Sequence, residues 1–170
     1  MWIVYFERIR TYGTRVILAT EPVDPRSLLR GDYVILDYVI NSPGGQIVLP
    51  EEWETIDVYT VLSLDDTWRV ESYQHSLTKP SSGTFIKWQL AWQPYKWRNQ
   101  IDYGIEQYFV PEGKWWTIER LGRVWWDNSF GDELEVRVAI SSSGVAQILE
   151  LLIDGEPVDF WEIEAENPYR

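Results

Sequence analysis

Apolar and polar positions along this chain alternate far more often than they recur at helical spacing, which predicts a mainly β protein. Residues 3–10 and 14–20 read as a first pair of strands turning at Tyr12-Gly13-Thr14. Ile56, Val58, Thr60 and Leu62 alternate with Asp57, Tyr59 and Val61 as a further strand. Asp65-Asp66 reads as a hairpin tip leading into Trp68–Tyr73. Lys79-Pro80-Ser81-Ser82-Gly83 is a loop between strands, short enough to stay inside one domain. Strands are expected over 84–92 and 98–110. A closing hairpin is expected from Leu134–Ile140 to Ala146–Ile153 around Ser141-Ser142-Ser143-Gly144. Helical spacing shows at Trp115, Ile118, Leu121 and Trp125, so a short amphipathic helix is expected over 112–121, with Glu112 favourably placed at its N-terminus. The sum is a single β-rich domain over 1–170, a barrel or sandwich with one or two short helices.

The segment from Asp24 to Tyr38 has the sharpest local logic. Asp24 is placed to cap a single helical turn starting at Pro25, where a missing N–H costs nothing. Gly31 suits the left-handed conformation that ends such a turn. From Asp32 the period becomes two: Tyr33, Ile35, Asp37 and Val39 share one face, and Asp32, Val34, Leu36, Tyr38 and Ile40 the other. Both faces are largely apolar, which predicts a central strand. A carboxylate at Asp37 then needs a partner, with Arg26 and Arg30 as nearby candidates. The Tyr38 hydroxyl needs one too if it is buried.

Gly31-Asp32-Tyr33, Leu36 and Tyr38 resemble the GDYxxLxY signature of a family of bacterial proteins. Pro22-Val23-Asp24-Pro25-Arg26 fits that family's approach to the motif. Two further blocks are similar to it: Tyr103-Gly104-Ile105-Glu106 with Tyr108–Gly113 and Glu119, and Ser143–Ala146 leading to Leu152–Gly155. The resemblance implies membrane association and membrane-protein partners, because many members carry a spanning helix ahead of this domain and occur with other membrane proteins. It carries over no catalytic residues. A fainter likeness to signal-peptidase folds rests on Leu29–Val34 and Tyr108–Gly113. It fails where Trp116-Thr117-Ile118-Glu119 replaces the expected Gly-Asp-Asn, and Lys79, Lys87, Lys96 and Lys114 stand in unsuitable contexts for a Ser–Lys pair.

Composition narrows the function classes. A net charge of −12 argues against nucleic-acid backbones and against direct adsorption to anionic lipid. Cysteine is absent, which removes disulfides, thiolate metal sites and cysteine nucleophiles. The run Trp2–Phe6 is far shorter than the ~20 residues needed to cross a bilayer. Given the resemblance, an anchor ahead of residue 1 is one expectation and a member without its anchor the other.

The 11 Trp, 10 Tyr and 5 Phe are read first as core and cross-strand packing. Trp88, Trp92, Tyr95 and Trp97 make the best case for an exposed binding surface, since Pro94 interrupts the strand pattern. Among carboxylates, Asp32, Asp37, Glu106, Glu112 and Glu119 all lie in the family-like blocks. Two that converged would suit glycoside hydrolysis, whereas caps and arginine pairs are the structural alternative. The lone His75 rules out multi-imidazole zinc, and its place at a strand end reads as an exposed polar residue. Asp154, Glu156 and Asp159 offer oxygen ligands for calcium but fit no known loop. No cofactor loop of nucleotide or dinucleotide type is present. The leading expectation is a non-catalytic interaction domain. The alternative is a small-ligand or carbohydrate-binding or hydrolytic domain that uses the carboxylates and aromatics near the motif.

Overall fold

The computed structural model describes residues 2–21, 33–41, 55–91, 101–109 and 134–159. The chain opens with a helix, α1 (Trp2–Tyr12), where the alternation predicted a strand over 3–10. A short run such as Trp2–Phe6 is ambiguous between the two states, and tertiary docking decides. In the helix Ile9 turns inward and is buried at 3% exposure, while Ile3 and Val4 stay in solvent. The helix stops at Gly13, whose amide donates to the Ile9 carbonyl at 2.8 Å. A Cβ at Gly13 would sit 2.6 Å from that same carbonyl oxygen, so the close approach needs glycine. Tyr12-Gly13-Thr14 is thus a helix end and not a hairpin tip.

The largest sheet has five antiparallel strands in the order β10-β9-β8-β1-β3. These are β1 (Thr14–Glu21), β3 (Asp37–Tyr38), β8 (Leu134–Ile140), β9 (Ala146–Ile153) and β10 (Glu156–Pro157). Val16 opposes Val138 and Leu18 opposes Val136, placing four buried aliphatics on one face. Period-two patterning makes that register hard to slip, because a one-residue shift would turn the whole set to solvent. The β8–β9 hairpin forms as its alternation predicts, with a bulge between Arg137 and Val138.

A second antiparallel sheet has the order β5-β4-β6, from β4 (Thr55–Leu64), β5 (Val70–Ser76) and β6 (Thr84–Ala91). The Asp65-Asp66 tip and the 79–83 loop connect these strands, in agreement with the sequence pattern. Asp65 accepts from the amides of Thr67 and Arg69, which closes the tip. The third sheet is a two-stranded ribbon of β2 (Tyr33–Ile35) and β7 (Gln107–Phe109). One buried cluster joins all of these, running from Val16, Leu18 and Val136 to Val58, Ile86 and Trp88 and on to Ile101, Tyr103 and Ile105. Among the described residues the strands do not close into a barrel.

Two further expectations change. Within the strand expected over 98–110, the described residues 101–109 hold only β7, and 101–106 run irregularly beside the motif. The central strand expected over 32–40 is two short pieces broken at Leu36, followed by a 3-10 turn at Val39–Asn41. Val34, Leu36, Tyr38 and Ile40 are buried, whereas Ile35 and Asp37 are half-buried and Val39 is exposed. One face is thus core and the other is partly wet. The capped turn of 24–31 and the helix expected over 112–121 lie outside the described residues.

Candidate functional site

The motif strand changes sheets in mid-course. Tyr33, Val34 and Ile35 pair with Phe109, Tyr108 and Gln107, and two residues later Asp37 and Tyr38 pair with Glu21 and Thr20 of the large sheet. Leu36 is the pivot: its amide donates to the Glu106 carbonyl at 2.8 Å while its side chain is buried. The two family-like blocks, around 33–38 and 103–109, therefore lie against each other. Tyr38 seals them. Its ring is fully buried and its hydroxyl donates to the Ile105 carbonyl at 2.6 Å. Burial and, secondarily, the nearby Glu106 carboxyl push the Tyr38 phenol well above its ordinary value, so it stays a neutral donor.

Asp37 finds its partners within two turns of chain. Its Oδ1 accepts from the Tyr38 amide at 3.1 Å and from Asn41 Nδ2 at 2.7 Å. This local closure holds the 3-10 turn. Gly31, Asp32, Arg26, Arg30, Glu112 and Glu119 lie outside the described residues, and Tyr33 is described through its backbone pairing.

Next to this seam lies a buried polar hub that the sequence reading missed. Thr60 Oγ1 stands 2.9 Å from His75 Nδ1, 2.9 Å from the Tyr103 hydroxyl and 3.0 Å from Trp88 Nε1. Proton counting assigns the roles. The Trp88 indole can only donate. The Tyr103 hydroxyl donates to the Ile40 carbonyl at 2.9 Å, so it receives the Thr60 proton. Both Thr60 lone pairs are then filled by Trp88 Nε1–H and His75 Nδ1–H, which places the His75 proton on Nδ1. The rings pack edge to face in a row, Tyr73 to His75 at 5.5 Å, His75 to Trp88 at 6.2 Å and Trp88 to Tyr103 at 6.0 Å. Tyr73 and Tyr103 also hold the 39–41 turn through the Val39 and Ile40 carbonyls.

This geometry corrects two expectations. His75 is buried and not an exposed strand end, because its strand pairs with β4 directly opposite Thr60. Trp88 is 4% exposed and belongs to the core, not to an aromatic surface. Its β6 position faces inward and Thr60 satisfies its N–H. Trp92, Tyr95 and Trp97 lie outside the described residues. The hub had one sequence signal: Thr60 is the polar residue on the otherwise apolar stripe Ile56, Val58, Leu62.

Glu106 is the carboxylate whose chemistry the fold alters most. Burial, then the neighbouring Asp102 carboxyl, raise its pKa to about 7, against the opposing pull of the Tyr103 amide that donates to it. The folded state therefore binds this proton more tightly than the unfolded chain does. Its contribution to stability is complete at pH values below the ordinary carboxyl range and is lost as pH rises toward 7. Glu106→Gln keeps the acceptor for the Tyr103 amide and removes the charge. At pH 8 this variant is expected to exceed the parent in stability by on the order of 1–2 kcal/mol, discounted for partial solvent screening. At pH 4 the two are expected to coincide. Urea unfolding of both proteins from pH 4 to 8 checks this, and parallel pH profiles would refute it.

Chemically the seam is closed. Tyr38, Thr60, Trp88, Tyr103 and His75 are each at most 9% exposed, and each polar atom named above has an internal partner. A serine-type triad through His75 has no room, since its Nδ1 is committed to Thr60. The carboxyl that neighbours Glu106 is Asp102, and Asp37 is not among the groups that perturb it. Among the described residues no three His, Cys, Asp or Glu side chains cluster to hold a metal, which includes Asp154, Glu156 and Asp159. Among the described residues no helix is long and apolar enough to cross a membrane.

A family model described as GDYXXLXY protein matches residues 1–151. Nothing among curated proteins and nothing among solved structures matches the chain.

Proposed function

The chain belongs to the GDYXXLXY protein family, and from that premise we propose that it is a non-catalytic β-rich interaction domain of a bacterial membrane-associated protein. It acts with membrane-protein partners. The observation that carries this reading is the closure of the seam around Tyr38 and Thr60. Tyr38, Thr60 and Tyr103 are spent on holding the core together, with their protons committed to carbonyls and hydroxyls inside it. Groups that must bind and release a substrate cannot also be sealed and saturated. The net charge of −12 further favours protein partners over phosphate backbones or anionic lipid.

The test is crosslinking of the protein in its native membranes followed by affinity recovery. The expected result is a defined integral membrane protein, recovered reciprocally when that partner is the bait. Recovery of the protein alone from the soluble fraction overturns the membrane assignment. Turnover of a glycoside or ester panel that disappears in Asp37→Asn or Glu106→Gln, with the fold intact, overturns the non-catalytic assignment.

A further inference from the structure

The β8–β9 turn separates two clefts on the side of the molecule where α1 ends. One, of about 410 Å³, lies between the turn and α1, and the other, of about 450 Å³, between the turn and the 79–84 loop. Both are bordered by Thr14, Ile140, Ser141 and Ser142, so they form two halves of one groove, each in the size range of small-molecule sites.

The groove differs in charge from the rest of the chain. The protein has 27 Asp and Glu against 15 Lys and Arg, yet no acidic side chain lines either cleft. Arg8 stands in the first and Lys79 in the second. Arg69, Lys87 and Arg137 have carboxylate partners, whereas Arg8 and Lys79 have none among the described residues. Helical spacing puts Tyr5, Arg8 and Tyr12 on one stripe above buried Ile9. Tyr5 is 39% and Tyr12 81% exposed. The opposite wall carries hydroxyls, with Ser142 exposed and Ser141 bound to the Val145 amide.

The wall shared by the two clefts is braced by backbone hydrogen bonds. The turn closes on itself through Ser141 N to the Val145 carbonyl and Gly144 N to the Ser141 carbonyl, both at 2.9 Å. It is tied to the second sheet by Lys87 N to the Gly144 carbonyl at 2.8 Å.

We propose that this groove binds a short acidic carbohydrate, an oligosaccharide bearing carboxylates. Exposed tyrosine faces stack on sugar rings, the serine and threonine wall meets their hydroxyls, and Arg8 and Lys79 pair with carboxylates of the ligand. A simple anion would use one cation and leave the tyrosines idle. A neutral sugar would leave both cations unpaired. The groove is separate from the sealed seam, so this binding and the partnership at the membrane stand or fall independently.

The test is calorimetric titration of the intact protein at low salt with trigalacturonate, maltotriose and inorganic phosphate as probes. Saturable binding of trigalacturonate is expected, with maltotriose and phosphate each weaker by at least about tenfold. Arg8→Gln with Lys79→Gln, and separately Tyr12→Ala, are expected to weaken trigalacturonate by about tenfold or more. These side chains are at the surface, and circular dichroism confirms that the variants fold. Absence of saturable trigalacturonate binding, or binding unaltered in the double variant, overturns the proposal. Equal affinity for maltotriose overturns the role of the cations, and equal affinity for phosphate reduces the groove to a simple anion site and overturns the carbohydrate assignment.

Discussion

Thr60→Val is expected to lower the unfolding free energy by roughly 3–5 kcal/mol, since it strands several buried polar groups at once. Valine matches threonine in shape, so packing changes little and the loss isolates the hydroxyl. Without it, Trp88 Nε1 and His75 Nδ1 lose their acceptor and the Tyr103 hydroxyl loses its donor, all at positions at most 9% exposed. Each orphaned donor is worth about 1–3 kcal/mol, and partial rearrangement holds the total below the simple sum. Thr60→Ser keeps the hydroxyl and removes one methyl, so it is expected to cost about 1 kcal/mol. Urea unfolding with an unchanged slope checks both. A valine variant as stable as the serine variant would show that the hub is not held through Thr60.

Gly144→Ala is the second large effect, at roughly 3–5 kcal/mol. Two penalties act together. The residue has φ of +88°, a region that L side chains enter only with strain. An added Cβ would also lie 2.7 Å from Phe85 Cε2 and 2.8 Å from Lys87 N. The second contact is with backbone, and it falls on the amide that donates to the Gly144 carbonyl, so relief requires the turn to lift from the second sheet. Gly155 is the control. Its φ is +84° but its nearest neighbour is a side-chain end and not backbone, Arg69 Nη2 at 3.0 Å in its pair with Glu135. Gly155→Ala is expected to cost about 1–2 kcal/mol, the strain plus a small shift of a side-chain end with no backbone clash. Amide exchange at Lys87, fast in the Gly144 variant and slow in the Gly155 variant, reports the mechanism directly. Slow exchange in both would refute it.

The candidate site was legible in part. That a buried Tyr38 hydroxyl must have a partner follows from its sequence context, and so does the need for a partner at Asp37. Which partners they take does not. Ile105 is 67 residues from Tyr38 in sequence, and nothing local points to it. Asn41, by contrast, is four residues from Asp37, within the reach of local turn chemistry. His75 was misread because a strand-end position says little about depth. Its burial depends on β5 lying against β4 with Thr60 opposite.

By itself the sequence determined the elements whose information is local. Period-two alternation and turn residues specified β4, β5 and β6 with their connections, and the β8–β9 hairpin around Ser141–Gly144. The motif residues specified the family. Tertiary structure decided where the same residues had two acceptable local states. Trp2–Tyr12 is a helix because Ile9 docks on the large sheet, and the motif strand breaks at Leu36 because Glu106 offers its amide a carbonyl from a distant segment. Local propensities differ by only tenths of a kcal/mol per residue, whereas one buried side chain or one satisfied buried amide is worth about 1–3 kcal/mol. Long-range contacts therefore chose between states that the sequence pattern alone left nearly equal in energy.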